Sequence, residues 1–375
     1  MKIAFLSNVD YNLYFFRLDI MKALQERGDK VYAVIPKGKY ADLIAKEGIE
    51  VVNYNLSRKS LNPFSAVSSI LELKKIFQKL DIDILHTFTV KPNIFGTFAG
   101  KMAGVPKIYN LVEGLGSFYV DNSVKSRIVR YIIEKLYRIT FRLSNLVVFV
   151  NSDDPRYLLE RGIISQEKIK IIKSVGIDTE EYQSEKVPDE VKEHLRRELG
   201  IGEGDRVVIM VARAILHKGT KDFYKSAEIL EKKGYIFLFA GDIDEGNPFS
   251  MDRKFMESGK VKWLGWRDDI KELLSISDIV VLPSYREGIP STLLEACSMG
   301  KPIVATDVVG CRECVDNGEN GYLVPIESPE KLACKIDTIL ETPELYSYMS
   351  KNSRKKAIEE FDIKNIVSQY LELYR

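Results

Sequence analysis

The sequence predicts an α/β protein built from two doubly wound, parallel-sheet domains that face a central cleft. Three observations carry this expectation. Short runs of Val, Ile, Leu and Phe alternate with segments of helical periodicity through the first half of the chain. The alternation restarts near Arg206, after a polar stretch running from Gly176-Ile177-Asp178 to Pro188. A length of 375 residues with 45% apolar content suits two cores of ordinary size better than one. The domains are therefore expected at 1–175 and 176–360.

Each element has its own local signal. Ile3–Ser7 is a compact apolar run and reads as the first strand. Phe15–Gln25 follows as a helix, with Phe16, Ile20, Ala23 and Leu24 on one face. Lys30–Ile35 reads as a strand, Ala41–Glu47 as a helix and Glu50–Asn53 as a strand. Ala66–Leu80 is amphipathic and helical, and strands follow at Ile84–Thr87, Lys107–Val112 and Leu146–Val150. In the second half, strands are expected at Arg206–Ala212, Tyr235–Ala240, Val261–Leu264, Ile279–Leu282 and Pro302–Thr306. Helices are expected at Asp222–Lys232, Ile270–Leu274, Thr292–Met299, Pro329–Leu340 and Ile363–Tyr374. Strands alternating with helices make the sheets parallel, and such sheets take ligands at the carboxyl ends of their strands.

Composition narrows the function classes. No apolar run approaches the ~20 residues of a membrane span. The N-terminal run Met1–Leu6 is too short for a signal peptide and reads as core strand. Cys297, Cys311, Cys314 and Cys334 all lie in the last third, which is no disulfide framework and fits a reducing cytoplasm. Cys311-Arg312-Glu313-Cys314 has metal-ligand spacing but no second pair, and with only three His no metal is expected. The net charge of +1 conceals an asymmetry. Residues 1–175 carry 27 Lys and Arg against 17 Asp and Glu, whereas the remainder carries 28 against 37. A basic first half is expected to meet an anionic partner.

The segment Glu287-Gly288-Ile289-Pro290-Ser291-Thr292-Leu293-Leu294-Glu295 is the most informative. A buried strand runs into a polar turn, and an apolar helix leaves it. Pro290 suits a first helical position, and Ser291 and Thr292 would offer N–H groups to an anion at the helix start. Glu287 and Glu295 can then bracket one ligand, as carboxylates for hydroxyls beside N–H groups for phosphate. Arg213, with Lys218 and Gly219 behind it, follows a strand directly and suits a diphosphate. Taken alone it also reads as a solvated basic turn. Paired with Glu287 and Glu295 at the same sheet edge it points to an anionic ligand.

Gly265-Trp266-Arg267-Asp268-Asp269 could hold a nucleobase by backbone contact and packing, or be a plain turn with Asp268 as an N-cap. Glu113 ends a strand before Gly114-Leu115-Gly116 and can bind a sugar hydroxyl, or sit in a solvent loop. Asp10 to Arg17 joins the first strand to the first helix without the glycines of a phosphate cradle. Its Asp10, Tyr11 and Asn12 suit an apolar or sugar-like acceptor, and Arg17 an acceptor phosphate, with one of Phe15 and Phe16 in the core. Lys91 belongs to the same acceptor set. Lys125–Arg142 carries six cations against Glu134. Its apolar face of Ile128, Val129, Ile132, Ile133, Leu136, Tyr137 and Phe141 suits an anionic membrane surface or ordinary packing. Its wide apolar stripe argues against nucleic acid.

Arg213, Lys218 and the Glu287…Glu295 pair resemble the retaining nucleotide-sugar glycosyltransferases of the two-Rossmann, GT-B type, glycosyltransferase family four. The resemblance spans the chain, including Gly176-Ile177-Asp178. It implies that Arg213 and Lys218 hold the donor diphosphate, Glu287 the donor sugar and Glu295 the ribose. It also implies that the last helix, 361–375, returns to the first domain. Two departures mark a specialised acceptor end. Asp10–Tyr14 stands where many members carry Gly-Gly, and Glu113 where many carry His.

The segments Ser57–Phe64, Leu111–Tyr119 and Ile172–Ile177 further resemble the N-acetylgalactosaminyltransferases of bacterial protein N-glycosylation. That likeness implies UDP-GalNAc as donor and undecaprenyl-diphospho-N,N′-diacetylbacillosamine as acceptor. It implies an α-1,3 linkage made at the cytoplasmic face of the inner membrane; with Arg213 and Lys218 on the diphosphate, no metal cofactor is expected. A UDP-GlcNAc or UDP-glucose transferase acting on another lipid-linked glycan stays open, as does a non-catalytic nucleotide-sugar-binding protein.

Overall fold

The computed structural model describes residues 1–55, 63–121, 123–173 and 175–375, apart from the side chains of 63–65 and 117. Most of the Ser57–Phe64 segment, and Ser174, lie outside the described residues. The chain divides into two compact units, Met1–Gly176 with Ile363–Arg375, and Ile177–Asp362.

The first unit is a seven-stranded parallel sheet of β1 (Lys2–Leu6), β2 (Lys30–Ile35), β3 (Glu50–Asn53), β4 (Ile84–Phe88), β5 (Lys107–Val112), β6 (Leu146–Phe149) and β7 (Ile169–Ile171). Their order is β3-β2-β1-β4-β5-β6-β7. Residues 3–6, 31–35 and 108, 111 and 112 are almost wholly buried, which is why these strands read as unbroken apolar runs and not as alternating ones. Connections run outward in both directions from β1 and β4, so the crevice of the sheet lies past the carboxyl ends of these two strands.

Helix Val90–Ala103 has no clear signal in the sequence. It holds Pro92, Gly96 and Gly100, all poor helix formers. The glycines are there for packing: a Cβ on Gly96 would lie 2.4 Å from the Leu6 side chain, and one on Gly100 2.9 Å from that of Leu85. The helix therefore sits unusually close to the sheet.

Helix Val124–Leu143 corrects the single apolar face expected for it. Tyr137 and Phe141 are buried, with Ile133 and Leu136 packed beside them against the sheet. Ile128 and Ile132 face away and lie exposed, joined by Val124, Tyr131 and Ile139. Spacings of three, four and seven put these five residues on one stripe. Arg130 donates to the carbonyls of Phe118 and Asp121, and Arg138 to those of Arg161 and Gly162. Lys125, Arg127, Lys135 and Arg142 remain exposed.

The second unit is a six-stranded parallel sheet of β8 (Val207–Val211), β9 (Ile236–Ala240), β10 (Val261–Gly265), β11 (Ile279–Leu282), β12 (Ile303–Thr306) and β13 (Gly321–Val324), in the order β10-β9-β8-β11-β12-β13. Its crevice lies past β8 and β11. Helices Asp153–Glu160, Asp189–Glu198 and Pro343–Lys356, and strands β7 and β13, were not marked by the sequence pattern. The two strands are only three and four residues long at sheet edges, and the last two helices are strongly charged. Helix Ile363–Leu373 packs on the first helix of the first unit, and Arg27 donates to the carbonyls of Leu371 and Tyr374.

Candidate active site

In the second unit the crevice gathers most of the residues singled out above. β8 ends at Val211, and the chain turns through Arg213 into a short 3-10 turn, Leu216–Lys218. Gly219 ends that turn in the left-handed region, at φ 74°. A Cβ there would lie 2.0 Å from the Pro283 carbonyl oxygen, so only glycine lets the loop reach the end of β11. The Tyr285 N–H donates to the His217 carbonyl at 2.9 Å and closes the contact. Lys218 Nζ consequently meets Glu287 Oε1 at 2.6 Å, and the carboxylate side chain is only 10% exposed. The Glu287 N–H donates to the Val309 carbonyl at 3.0 Å.

Arg213 stands at the mouth, 61% exposed, with its Nη1 2.6 Å from Asp244 Oδ2. Asp244 Oδ2 also accepts from Asn247 Nδ2 at 2.9 Å. The two cations thus lie beside carboxylates that an anionic ligand must displace or join. The expected position of Pro290 needs correction. It is the N-cap, with extended backbone (φ −80°, ψ 113°), and the helix begins at Ser291. Proline tolerates that position too, and its carbonyl accepts from the Leu293 N–H at 2.9 Å. Ser291 and Thr292 form the first turn, whose N–H groups have no carbonyl one turn back inside the helix. Thr292 Oγ1 donates to the Val211 carbonyl at 3.2 Å, which ties the helix to β8. Gly288 and Ile289 bridge Glu287 to this helix start.

Glu295 sits one turn into the helix, only partly exposed, and burial pushes its carboxyl up to about 7. In the unfolded chain the group ionises near 4.5. Between these values the folded state holds the extra proton, so this residue's contribution to stability is lost as pH rises from about 4.5 to about 7. That loss is on the order of 3 kcal/mol. Urea melts of wild type and Glu295→Gln at pH 5 and 8 are expected to show a steeper fall in wild type. Equal slopes in the two proteins remove Glu295 as the titrating group.

The Gly265–Asp269 turn differs from expectation in part. Asp269, not Asp268, is the N-cap of the helix beginning at Ile270. Arg267 is committed to Asp269 at 2.5 and 2.7 Å and to Glu198 at 2.9 Å, so its charge is not free for a donor. Those carboxylates hold its guanidinium above its usual range. Trp266 projects into solvent, 70% exposed. Beside Gly265 lies a cavity of about 490 Å³, lined also by Asp242, Arg253, Met256, Glu257 and Trp263. The Trp263 indole N–H donates to the Gly241 carbonyl at 2.8 Å.

In the first unit, residues 10–14 are not a loop. The helix begins at Asp10 and runs to Glu26. Nothing in Asp10–Tyr14 breaks a helix, and Asp10 in the first turn favours one. Asp10 Oδ2 accepts the Tyr40 N–H at 2.9 Å. Tyr11 is exposed on the same turn. Asn12 and Arg17 both turn to Glu113. Asn12 Nδ2 lies 2.9 and 3.0 Å from its two oxygens, and Arg17 Nη2 lies 2.7 Å from Oε1.

Arg17 is 1% exposed and lies over the Phe88 ring. The acceptor-phosphate contact expected of Arg17 therefore gives way to a positioning role: a buried guanidinium holds the carboxylate at the end of β5. Asn12 is likewise buried. Of the two phenylalanines, Phe15 is exposed and packs edge-on against Tyr14 and Tyr40, and Phe16 is half-buried. Lys91 is partly exposed past β4, and burial lowers its ammonium from the usual range. Among the described residues no three His, Cys, Asp or Glu side chains are grouped to hold a metal ion, and no helix is long and apolar enough to cross a membrane.

Sequence reasoning missed Gly310. It lies past β12 at φ 83°, and a Cβ there would come within 2.6 Å of the Gly288 carbonyl and 2.8 Å of Glu287 Cβ. A glycine following Val308-Val309 after a strand was the available signal.

Comparison with known proteins gives a consistent picture. Residues 191–356 match the family model described as glycosyl transferases group 1, and residues 2–151 that described as glycosyl transferase 4-like. The chain is 39% identical over 374 residues to N,N′-diacetylbacillosaminyl-diphospho-undecaprenol α-1,3-N-acetylgalactosaminyltransferase of Campylobacter jejuni, covering 100% of this chain and 98% of that one. It is 26% identical to an Escherichia coli UDP-Gal:α-D-GlcNAc-diphosphoundecaprenol α-1,3-galactosyltransferase, over 84% of this chain and 81% of the relative. Among solved structures, a glycosyltransferase from Rickettsia africae superposes with a TM-score of 0.82 at 24% identity, covering 100% and 97% of the two chains. Anabaena HepE with UDP-glucose gives 0.80 at 21%, covering 100% and 99%.

Proposed function

The chain belongs to the GT-B glycosyltransferases of family four, and on that premise we propose that it moves GalNAc from UDP-GalNAc to undecaprenyl-diphospho-N,N′-diacetylbacillosamine. The new linkage is α-1,3 and the anomeric configuration is retained. The observation that carries the catalytic reading is Lys218 held 2.6 Å from Glu287 at the start of helix Ser291–Ser298, with Arg213 on the same loop. Full-length likeness to the Campylobacter enzyme supports the choice of donor and acceptor.

In this reading the second unit binds the donor. Arg213, Lys218 and the first-turn N–H groups at Ser291 and Thr292 take the diphosphate. Glu287 takes the sugar hydroxyls and Glu295 the ribose. As the bond from the anomeric carbon to the diphosphate breaks, charge grows on the leaving oxygen, and preset donors stabilise that charge most. The acceptor hydroxyl forms its bond on the same face and gives its proton to the departing phosphate. Two cations and helix N–H groups then serve where other transferases use a divalent ion. Glu113, held by Asn12 and Arg17, offers an acceptor for a sugar hydroxyl in the first unit. The test is transfer to the lipid acceptor in EDTA, with UDP-GalNAc, UDP-GlcNAc and UDP-glucose in parallel. Product from UDP-GalNAc alone is expected. Product from another donor instead replaces the donor assignment.

The exposed stripe of Val124, Ile128, Tyr131, Ile132 and Ile139 beside Lys125, Arg127, Lys135 and Arg142 supports peripheral binding to an anionic membrane, where a polyprenol acceptor resides. Ile128→Asp/Ile132→Asp is expected to weaken sedimentation with phosphatidylglycerol vesicles by about tenfold or more, since each buried isoleucine contributes roughly 1.5–3 kcal/mol. Transfer to a short, water-soluble acceptor should persist. Unchanged vesicle binding assigns the membrane contact elsewhere.

A further inference from the structure

At the opposite, amino-terminal edge of the second unit's sheet lies a separate cavity of about 560 Å³. Arg206 immediately precedes β8, Asp278 precedes β11 and Lys301 comes just before β12, so this edge is remote from the Lys218–Glu287 crevice. Lys301 lines the cavity and is only 7% exposed. A buried ammonium ordinarily has a carboxylate against it. Lys301 has instead one neutral partner, the Ser275 carbonyl, at 3.2 Å. Two carboxylates, Asp278 and Glu185, act on it electrostatically, and the stronger, Asp278, is engaged by Arg206 Nη1 at 3.0 Å and by the Val207 N–H at 2.7 Å. Burial correspondingly lowers the Lys301 ammonium to about 8. A buried cation with unfilled donor capacity on a cavity wall is a place where an oxyanion gains more than it does in water.

The rest of the lining narrows the ligand. Lys192 and Arg206 add positive charge to the rim while paired with Asp189 and Asp278 at 3.1 and 3.0 Å, which leaves Lys301 as the cation for the phosphate; Glu203 and Asp205 supply carboxylates of the kind that bind hydroxyls, and the half-buried Tyr346 offers a ring face. A phosphate-binding cation, hydroxyl-binding acids and one aromatic ring match a phosphorylated sugar, and the volume falls within the range of small-molecule sites. We propose that this cavity is a second ligand site, which binds a sugar phosphate through its phosphate on Lys301.

The site does not depend on the donor assignment, so the test is run with the crevice filled. Calorimetric titration uses glucose 6-phosphate, inorganic phosphate and glucose against the full chain saturated with UDP. Glucose 6-phosphate is chosen because its phosphate is far from the anomeric carbon and does not imitate the donor. Binding at submillimolar Kd is expected in wild type, weakened at least tenfold in Lys301→Met and largely kept in Lys301→Arg, with UDP affinity unchanged in both variants. Inorganic phosphate binding equally well reduces the site to an oxyanion site and overturns the sugar assignment. No heat with any probe, or equal binding by Lys301→Met, overturns the proposal. Should Lys301→Met fail to fold, perturbation of Lys301 and Tyr346 NMR signals by glucose 6-phosphate in wild type decides the matter. Shifts confined to residues near Lys218 would refute it.

Discussion

Lys218→Met is expected to lower kcat/KM by about a hundred- to a thousand-fold, the usual effect of removing one preset donor to developing charge. Two terms contribute. The departing diphosphate loses a cation, and Glu287 is left on its own at 10% exposure. Breaking a well-buried pair from one side costs about 3–5 kcal/mol, and this pair, with Lys218 22% exposed, should sit below that range. The double variant Lys218→Met/Glu287→Gln separates the terms. It is expected to regain most of the lost stability in urea melts and none of the lost transfer. If the double variant also recovers transfer, Lys218 acts only by neutralising Glu287. Arg213→Ala should have a milder effect, because Arg213 is 61% exposed and its charge is already softened by water.

Gly310→Ala is expected to remove activity by displacing Glu287 without touching any ligand. The position combines φ 83° with a Cβ that would meet the backbone of Gly288 and Glu287 at 2.6 and 2.9 Å. A left-handed non-glycine residue costs roughly 1–2 kcal/mol, and the contact adds more because its partners are backbone and not a flexible side chain. A stability loss of about 2–4 kcal/mol follows, within the range of strained backbone substitutions. Donor titration by calorimetry should show weakened UDP-sugar binding in the protein that remains folded. Wild-type affinity in Gly310→Ala would mean that the loop after β12 does not hold Glu287 in place. Gly28, also left-handed at φ 92° but with nothing within 4 Å of its Cβ position, serves as control: Gly28→Ala should carry only the strain of φ.

Much of this was legible from the residues because parallel sheets write their strands as apolar runs. Ile279–Leu282 and the Glu287–Glu295 segment read as strand, turn and helix from the residues alone. Short edge strands such as Ile169–Ile171 left too few residues for a period to register. Val90–Ala103 was hidden because a helix pressed onto a sheet uses glycines, which read as breakers. At the first helix the aromatic run Tyr11–Phe16 looked like a ligand loop, and its cation Arg17 looked like a phosphate contact, because sequence does not distinguish a buried guanidinium from an exposed one.

The sequence by itself determined the α/β class, the tandem repetition of the doubly wound pattern and the candidate residues Arg213, Lys218, Glu287 and Glu295. These depend on local order: periodicity, chain punctuation and residue type along a strand end. Only the tertiary structure decided which charges are already engaged. Arg17 belongs to Glu113, Arg267 to Glu198, and Lys218 to Glu287, each pair joining residues far apart in the chain. Charge pairing and burial are set by which strand ends the sheet order makes neighbours, and that order is a property of the folded sheet that no local window of sequence contains.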